Sequence, residues 1–191
     1  MPIDKGPYLS GFRLILDDFL TMTAYIEPRD ENLQAFSHRL YEIFLRACTE
    51  FESVCKDALV DRGAMKPRAD MDINDYRGLE SDLHLELVEV GWQIWRPEPA
   101  YVKPFSGWSH VTPPLPWYRD YNLVKHNRNS DFPLASLRNV RLAVSGLFAT
   151  LASLDLLPTN LPGHREFHDE NAGTVEAHYV PYPQLSLRRP R

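Results

Sequence analysis

Between residues 30 and 61 the apolar side chains Leu33, Phe36, Leu40, Phe44, Ala47, Phe51, Val54 and Ala58 recur at steps of three and four. Glu31, Arg39, Glu42, Arg46, Glu50 and Lys56 mostly take the positions between them. That period lines one side of an α-helix with apolar groups and turns the other side to water. Asp30 stands where an N-cap is wanted, and Gly63 followed by Pro67 supplies the stop. A helix from Asp30 to Asp61 far exceeds the average of roughly twelve residues. Its stripe needs partners of similar length, which a long antiparallel bundle supplies and a compact α/β sheet does not.

Two further segments qualify as those partners. Residues 8–26 carry Leu9, Phe12, Ile15, Leu16, Phe19, Leu20, Met22 and Tyr25, mostly at helical spacing, and Pro28 closes the segment. Residues 134–154 carry Leu137, Val140, Val144, Leu147, Phe148, Leu151 and Leu154. Polar residues thin out after Arg141, which marks this helix as the central element. Residues 72–86 read as a shorter helix that Gly78 interrupts. From Glu86 to Trp95 the pattern shifts to alternation with β-branched and aromatic residues, which predicts a short strand near 88–95.

Pro97, Pro99, Pro104, Pro113, Pro114 and Pro116 break up the next stretch. Residues 87–116 therefore read as a small β or loop insertion, with Tyr101, Val102 and Phe105 packed onto the body. Residues 1–157 form one helical domain on this reading. Residues 158–191 hold Pro162, Gly163, Gly173, Pro181, Pro183 and Pro190 with few aliphatic side chains. They read as an extended Pro/Gly-rich tail that packs loosely if at all. The fold class expected is mainly α: an antiparallel helical bundle with a small β/loop insertion.

Composition narrows the function classes. With 25% charged and 12% aromatic residues the chain is an ordinary globular sequence rather than a disordered one. A net charge of −5 argues against a protein that coats nucleic acid through a broad basic field. A local basic cleft around Arg119, Lys125 and Arg128 remains compatible with it. No stretch approaches the roughly twenty apolar residues that cross a bilayer, so no membrane association is expected. The start, Met1-Pro-Ile-Asp-Lys-Gly, lacks the apolar core of a secretion signal. Cys48 and Cys55 lie seven positions apart on the long helix. Two helical turns separate their Cα atoms by about 10 Å, too far for a disulfide. A reduced, cytoplasmic protein is expected.

The segment Trp117-Tyr-Arg-Asp-Tyr-Asn-Leu-Val-Lys-His-Asn-Arg128 follows Pro116, a residue suited to a helix start. Arg119 and His126 are seven positions apart, about two turns, and Asn122 falls on the same face. A fixed cation, an amide and an imidazole on one face suit the cleavage of an RNA phosphodiester. RNA carries its own nucleophile in the 2′-hydroxyl, so the chemistry needs no metal. An unperturbed imidazole titrates near pH ~6.5 and so serves as base or acid around neutrality. A guanidinium stays charged and matches phosphate with its planar fork. Here His126 takes or gives the proton, Arg119 stabilises charge on the phosphorane, and Asn122 orients the imidazole or donates to a phosphate oxygen. Lys125 and Arg128 guide the backbone.

Arg119-Asp120 followed by His126 resembles the signature of the HEPN superfamily: an arginine, a small polar residue in the next slot, and a histidine after four to six intervening residues. Tyr121-Asn122-Leu123-Val124-Lys125-His126-Asn127-Arg128 resembles a Tyr-Asn-x-x-Lys-His-x-Arg block of bacterial HEPN-like proteins. A second block, from Glu31-Asn32-Leu33 to Ala47-Cys48-Thr49-Glu50-Phe51-Glu52, is similar to the long helix of the same group. Together the blocks cover roughly a quarter of the chain. The resemblance implies a HEPN-type bundle and a metal-independent endoribonuclease without a cofactor, acting as a toxin or phage-defence effector. It places Arg119, Asn122 and His126 among the catalytic residues and Asp120, Lys125 and Arg128 with the substrate. It further implies a homodimer whose motif helices face each other across the active cleft, with Tyr118, Tyr121 and Val124 packed inward or on the partner. RNA and an antitoxin are the expected partners. The alternative is a non-catalytic dimerisation, nucleotide-binding or partner-binding module.

Other candidates carry less. No Gly-rich phosphate loop is present. His164, His168, Asp169, Glu170 and His178 superficially resemble a metal set but sit in a segment rich in proline and glycine, so no metal is expected. Glu50 and Glu52 are two apart and leave different sides of a helix; pairing with an arginine is the job expected of Glu50. Trp92, Trp95, Trp108 and Trp117 read as core or lid residues rather than base-stacking platforms. The terminal Leu187-Arg-Arg-Pro-Arg191 reads as a solvated end rather than an RNA contact.

Overall fold

A computed structural model of the chain describes residues 3–109, 115–157, 165–169, 174–179 and 182–190. Four longer helices organise it: α1 Lys5–Met22, α2 His38–Asp61, α5 Pro116–His126 and α7 Leu137–Ser153. Between them lie the one-turn helices α3 Ile73–Tyr76, α4 Glu80–Leu83 and α6 Arg128–Asp131. Five strands complete the fold: β1 Glu89–Trp92, β2 Ala100–Val102, β3 Arg165–Asp169, β4 Thr174–Tyr179 and β5 Tyr182–Pro190. The protein is mainly α with one antiparallel sheet.

Side-chain pairings fix the helix directions. Tyr8 reaches Asp57, and Asp18 takes both Arg39 and Arg46, so α1 runs antiparallel to α2. Tyr118 meets Glu52 while Arg128, just beyond α5, meets His38, so α5 also opposes α2. Lys5 reaches Asp155 O while Phe12 stacks on Phe148 with centroids 5.7 Å apart, and Trp117 lies against Gly146 while Asp120 bonds Asn139, so α1 and α5 both oppose α7. Consecutive long helices therefore alternate in direction. α2 and α7 run parallel, and the segment leading into α2 is laced to the start of α7. Leu137 N–H donates to Ala35 O at 2.8 Å and Arg138 N–H to Leu33 O at 3.0 Å. α7 is the central element, with Asn139, Ser145 and Thr150 buried among its apolar residues.

The long helix begins later than its apolar period predicts. Ser37 caps it by accepting from Leu40 N–H at 3.1 Å. The Asp30 carboxylate is drawn instead to Trp95 Nε1, 3.0 Å away, and Asp30–Asn32 forms a separate 3-10 turn. Phe36 thus lies outside the helix and is 48% exposed. Residues 72–86 are not one interrupted helix but a string of single turns through α3 and α4.

The sheet order is β2-β1-β5-β4-β3, antiparallel throughout. The strand expected near 88–95 is β1, and β2 is its hairpin partner. The loose tail expected over 158–191 is corrected at its far end. β5 pairs with β1, placing Val90 opposite Leu187 and Trp92 opposite Leu185. Leu185 and Leu187, two positions apart and hence on one face, are buried, and Ser186 is buried between them. An open β1 edge would leave backbone donors and acceptors unpaired, and β5 satisfies them despite its prolines. Gly91 is required here by close approach: a Cβ on it would stand 2.4 Å from Ser186 Oγ and 2.5 Å from Tyr101 Cε1.

All four tryptophans are buried, as expected of core residues. Trp92 Nε1 donates to Ser145 Oγ at 2.9 Å, fastening β1 to α7. Trp117 Nε1 donates to Pro104 O at 2.7 Å, fastening α5 to the loop after β2. Phe105 is buried and stacks on Trp108 at 4.8 Å, whereas Tyr101 and Val102 are only half-buried. Among the described residues no helix is long and apolar enough to cross a membrane.

Candidate functional site

α5 has two unlike faces. Trp117, Tyr118, Asp120, Tyr121 and Val124 are buried against α2 and α7, while Arg119, Leu123 and His126 are exposed and Asn122 is half-exposed. The helix starts on Pro116 at its first turn, and Arg119 N–H bonds Leu115 O at 2.9 Å. Arg119, Asn122 and His126 do share the outward face, two turns long, that their spacing predicts.

Their immediate partners refine the roles expected of them. Arg119 donates through Nε at 3.0 Å and Nη2 at 2.7 Å to one oxygen of Asp120. Asp120 is not turned toward solvent as a substrate contact. Its other oxygen accepts from Asn139 Nδ2 at 3.0 Å, and that amide also donates to Leu134 O at 2.8 Å. Asp120 is therefore a positioning residue: α7 holds it, and it holds the guanidinium. Sequence reasoning missed Asn139, because a buried asparagine nineteen residues away carries no local signal. The Asn122 amide bonds back to Tyr118 O at 3.2 Å. Leu123, beside Arg119 on the side away from Asn122, is 39% exposed, which puts an apolar group into an otherwise polar face.

Lys125 lies off that face, at its border with the buried side. Its ammonium donates to Tyr121 Oη at 3.2 Å and sits 5.1 Å from the centre of that ring. The bond to Tyr121 raises the Lys125 pKa, and burial raises that of Tyr121. Beneath it, Tyr118 donates to Glu52 Oε1 at 2.7 Å. Burial, then the bond to Glu52, pushes the Tyr118 hydroxyl far above the usual phenol range, so it stays a donor. Cys48 and Cys55, both free and fully buried, have their thiols pushed up by burial and are poor nucleophiles.

Arg128 follows the end of α5 and turns toward α2. Its guanidinium lies 4.6 Å from the Tyr41 ring centre and 5.8 Å from that of Phe132, and Nη2 donates to His38 Nδ1 at 3.1 Å. Glu50 finds no arginine among the described residues, correcting the partner expected for it. Its carboxylate packs on α1 at Gly11, and burial raises its pKa. Arg141 is the buried arginine instead. It stacks 4.0 Å from the Trp95 ring centre and stands 3.7 Å from Asp30, with its pKa pushed down to about 10 by burial. No group of three or more metal-ligating side chains occurs among the described residues. The side chains of His164, His168, Asp169, Glu170 and His178 lie outside the described residues.

No family model matches the chain, and no curated protein or solved structure is significantly similar to it.

Proposed function

We propose that the outward face of α5 cleaves RNA without a metal, in the manner of a HEPN ribonuclease. The observation that carries the reading is the joint exposure of Arg119 and His126 on one rigid helix face, with Arg119 held by the buried Asp120–Asn139 pair. A guanidinium fixed in this way loses little freedom when it meets phosphate. In the proposed reaction a base takes the 2′-hydroxyl proton and that oxygen attacks the adjacent phosphorus. The 5′ oxygen leaves with a proton, giving a 2′,3′-cyclic phosphate. His126 supplies one of the two proton transfers, and in a dimer the partner's copy would supply the other. Arg119 stabilises the equatorial charge. The role of a toxin or defence effector follows from the same resemblance.

Purified protein incubated with RNA in EDTA should yield 2′,3′-cyclic phosphate ends, and His126→Ala should abolish them. Cleavage that persists in that variant would overturn the reading. A second reading, a non-catalytic homodimer, is favoured by Leu123, whose exposed side chain suits a contact with a second copy. Dimerisation lost in Leu123→Asp, with no cleavage by the wild-type protein, would select it.

A further inference from the structure

We propose that the aromatic patch beside the end of α5 is a stacking platform for an unpaired base of single-stranded nucleic acid, with Arg128 on the adjoining phosphate. The proposal rests on the RNA reading of α5 and names how that site would recognise its strand.

Phe132 is the hub of the patch. Phe36 meets it edge-on with centroids 5.7 Å apart, His38 lies 4.8 Å away, and Tyr41 lies 5.9 Å away. Phe36 and His38 are exposed, whereas Tyr41 and Phe132 are half-buried. The patch is preformed rather than pliable. Phe36 bridges Ser136, and the two backbone bonds just before it, at Leu33 and Ala35, lace the segment to the start of α7. Base stacking on an aromatic ring loses least entropy when the ring is already fixed.

The charge beside the rings points to the occupant. Arg39, Arg46, Arg62, Arg68 and Arg119 each hold a carboxylate. Arg128 holds none among the described residues. Two rings and an imidazole fix its plane instead. Because guanidinium only donates, His38 Nδ1 must accept, which leaves the other donors of the exposed Arg128 without a partner among the described residues. A planar cation with open donors next to an exposed ring matches a phosphate next to a base. Its place matches as well. Arg128 and His126 are two residues apart, at most about 7 Å between Cα atoms, so one short strand reaches both the platform and the cleavage face.

The test uses full-length protein carrying His126→Ala to prevent cleavage, with fluorescein-labelled decauridylate as the probe and anisotropy as the readout. Phe36→Ala should weaken binding roughly 5- to 100-fold, the range expected for one stacked base, and Phe36→Trp should restore it. Phe36 is exposed, so its loss should leave the unfolding midpoint in place, which separates recognition from folding. Arg128→Gln should weaken binding and lower the slope of affinity against salt by about one phosphate contact. Equal affinity in Phe36→Ala and the parent would overturn the platform. So would failure to bind any single strand, or loss of self-association as the sole consequence of Phe36→Ala. Wild-type protein assayed for cleavage separates the two ideas. Binding that depends on Phe36 without cleavage sinks the catalytic reading alone, and cleavage indifferent to Phe36 sinks the platform alone.

Discussion

The two faces of α5 solve opposite problems with neighbouring residues. The inner face buries Trp117, Tyr118, Asp120, Tyr121 and Val124, and each polar atom named on it has a partner: Pro104 O, Glu52, Asn139, or Lys125. The outer face sets Arg119, Leu123 and His126 in water. Asp120 joins them, being buried on one side and bonded to the outward Arg119 on the other. The difference teaches that the order of a surface site can be set from below, by side chains that never touch a ligand.

The contrast predicts a steep gradient of stability across one helix. The largest effect should come from Phe51→Ala, beneath the inner face. Phe51 is fully buried and meets Tyr76, Phe105, Trp108, Trp117 and Tyr118 within 6.3 Å between ring centroids. Its truncation should cost about 3–5 kcal/mol in denaturant unfolding. A loss under about 1 kcal/mol would mean that the inner face is not part of the core.

Tyr118→Phe comes next. It removes the donor to Glu52 while keeping the ring, so a half-buried carboxylate loses its partner, and about 1–3 kcal/mol should go. Part of that loss should return when Glu52→Gln is added, since the stranded charge is then gone. A double variant no more stable than Tyr118→Phe would break this account.

On the outer face, Arg119→Ala should cost about 1–2 kcal/mol in unfolding, because one oxygen of the buried Asp120 loses its partner, whereas His126→Ala should stay within about 0.5 kcal/mol of the parent; RNA cleavage should disappear in both. If His126→Ala unfolds early, the outer face is structural after all and the comparison fails.

Glu50 sharpens the comparison at the scale of one proton. Burial raises its pKa in the folded protein. Its contribution to stability is therefore present below the ordinary carboxyl range and is lost as pH rises through the folded value. Glu50→Gln should remove that loss, so the variant should gain on the parent at neutral pH and match it near pH ~4, at the unfolded carboxyl value. The gain should be at most about 0.5 kcal/mol, because the group is partly solvated. Parallel pH profiles for the two proteins would refute it.

Much of this architecture was legible along the chain. The α2 and α7 stripes, the proline that opens α5 and the shared face of Arg119, Asn122 and His126 all follow from steps of three, four and seven. Elsewhere the local signal misled. Phe36 continues the helical period by one step, yet Ser37 wins the cap and leaves Phe36 in the open, because Asp30 is taken by Trp95. β5 is masked by its prolines, and pairing with β1 on one side and β4 on the other makes a strand of it.

By itself the sequence determined that the four longer helices form and which side of each is apolar, since both depend on neighbours within two turns. Only the tertiary structure decided that Asn139 holds Asp120, that Arg128 lies on Tyr41, and that β5 joins the sheet. Those are contacts between segments far apart along the chain. No periodicity encodes such a contact; it exists because burial leaves each polar group and each open edge to find whatever partner the packed chain brings within reach.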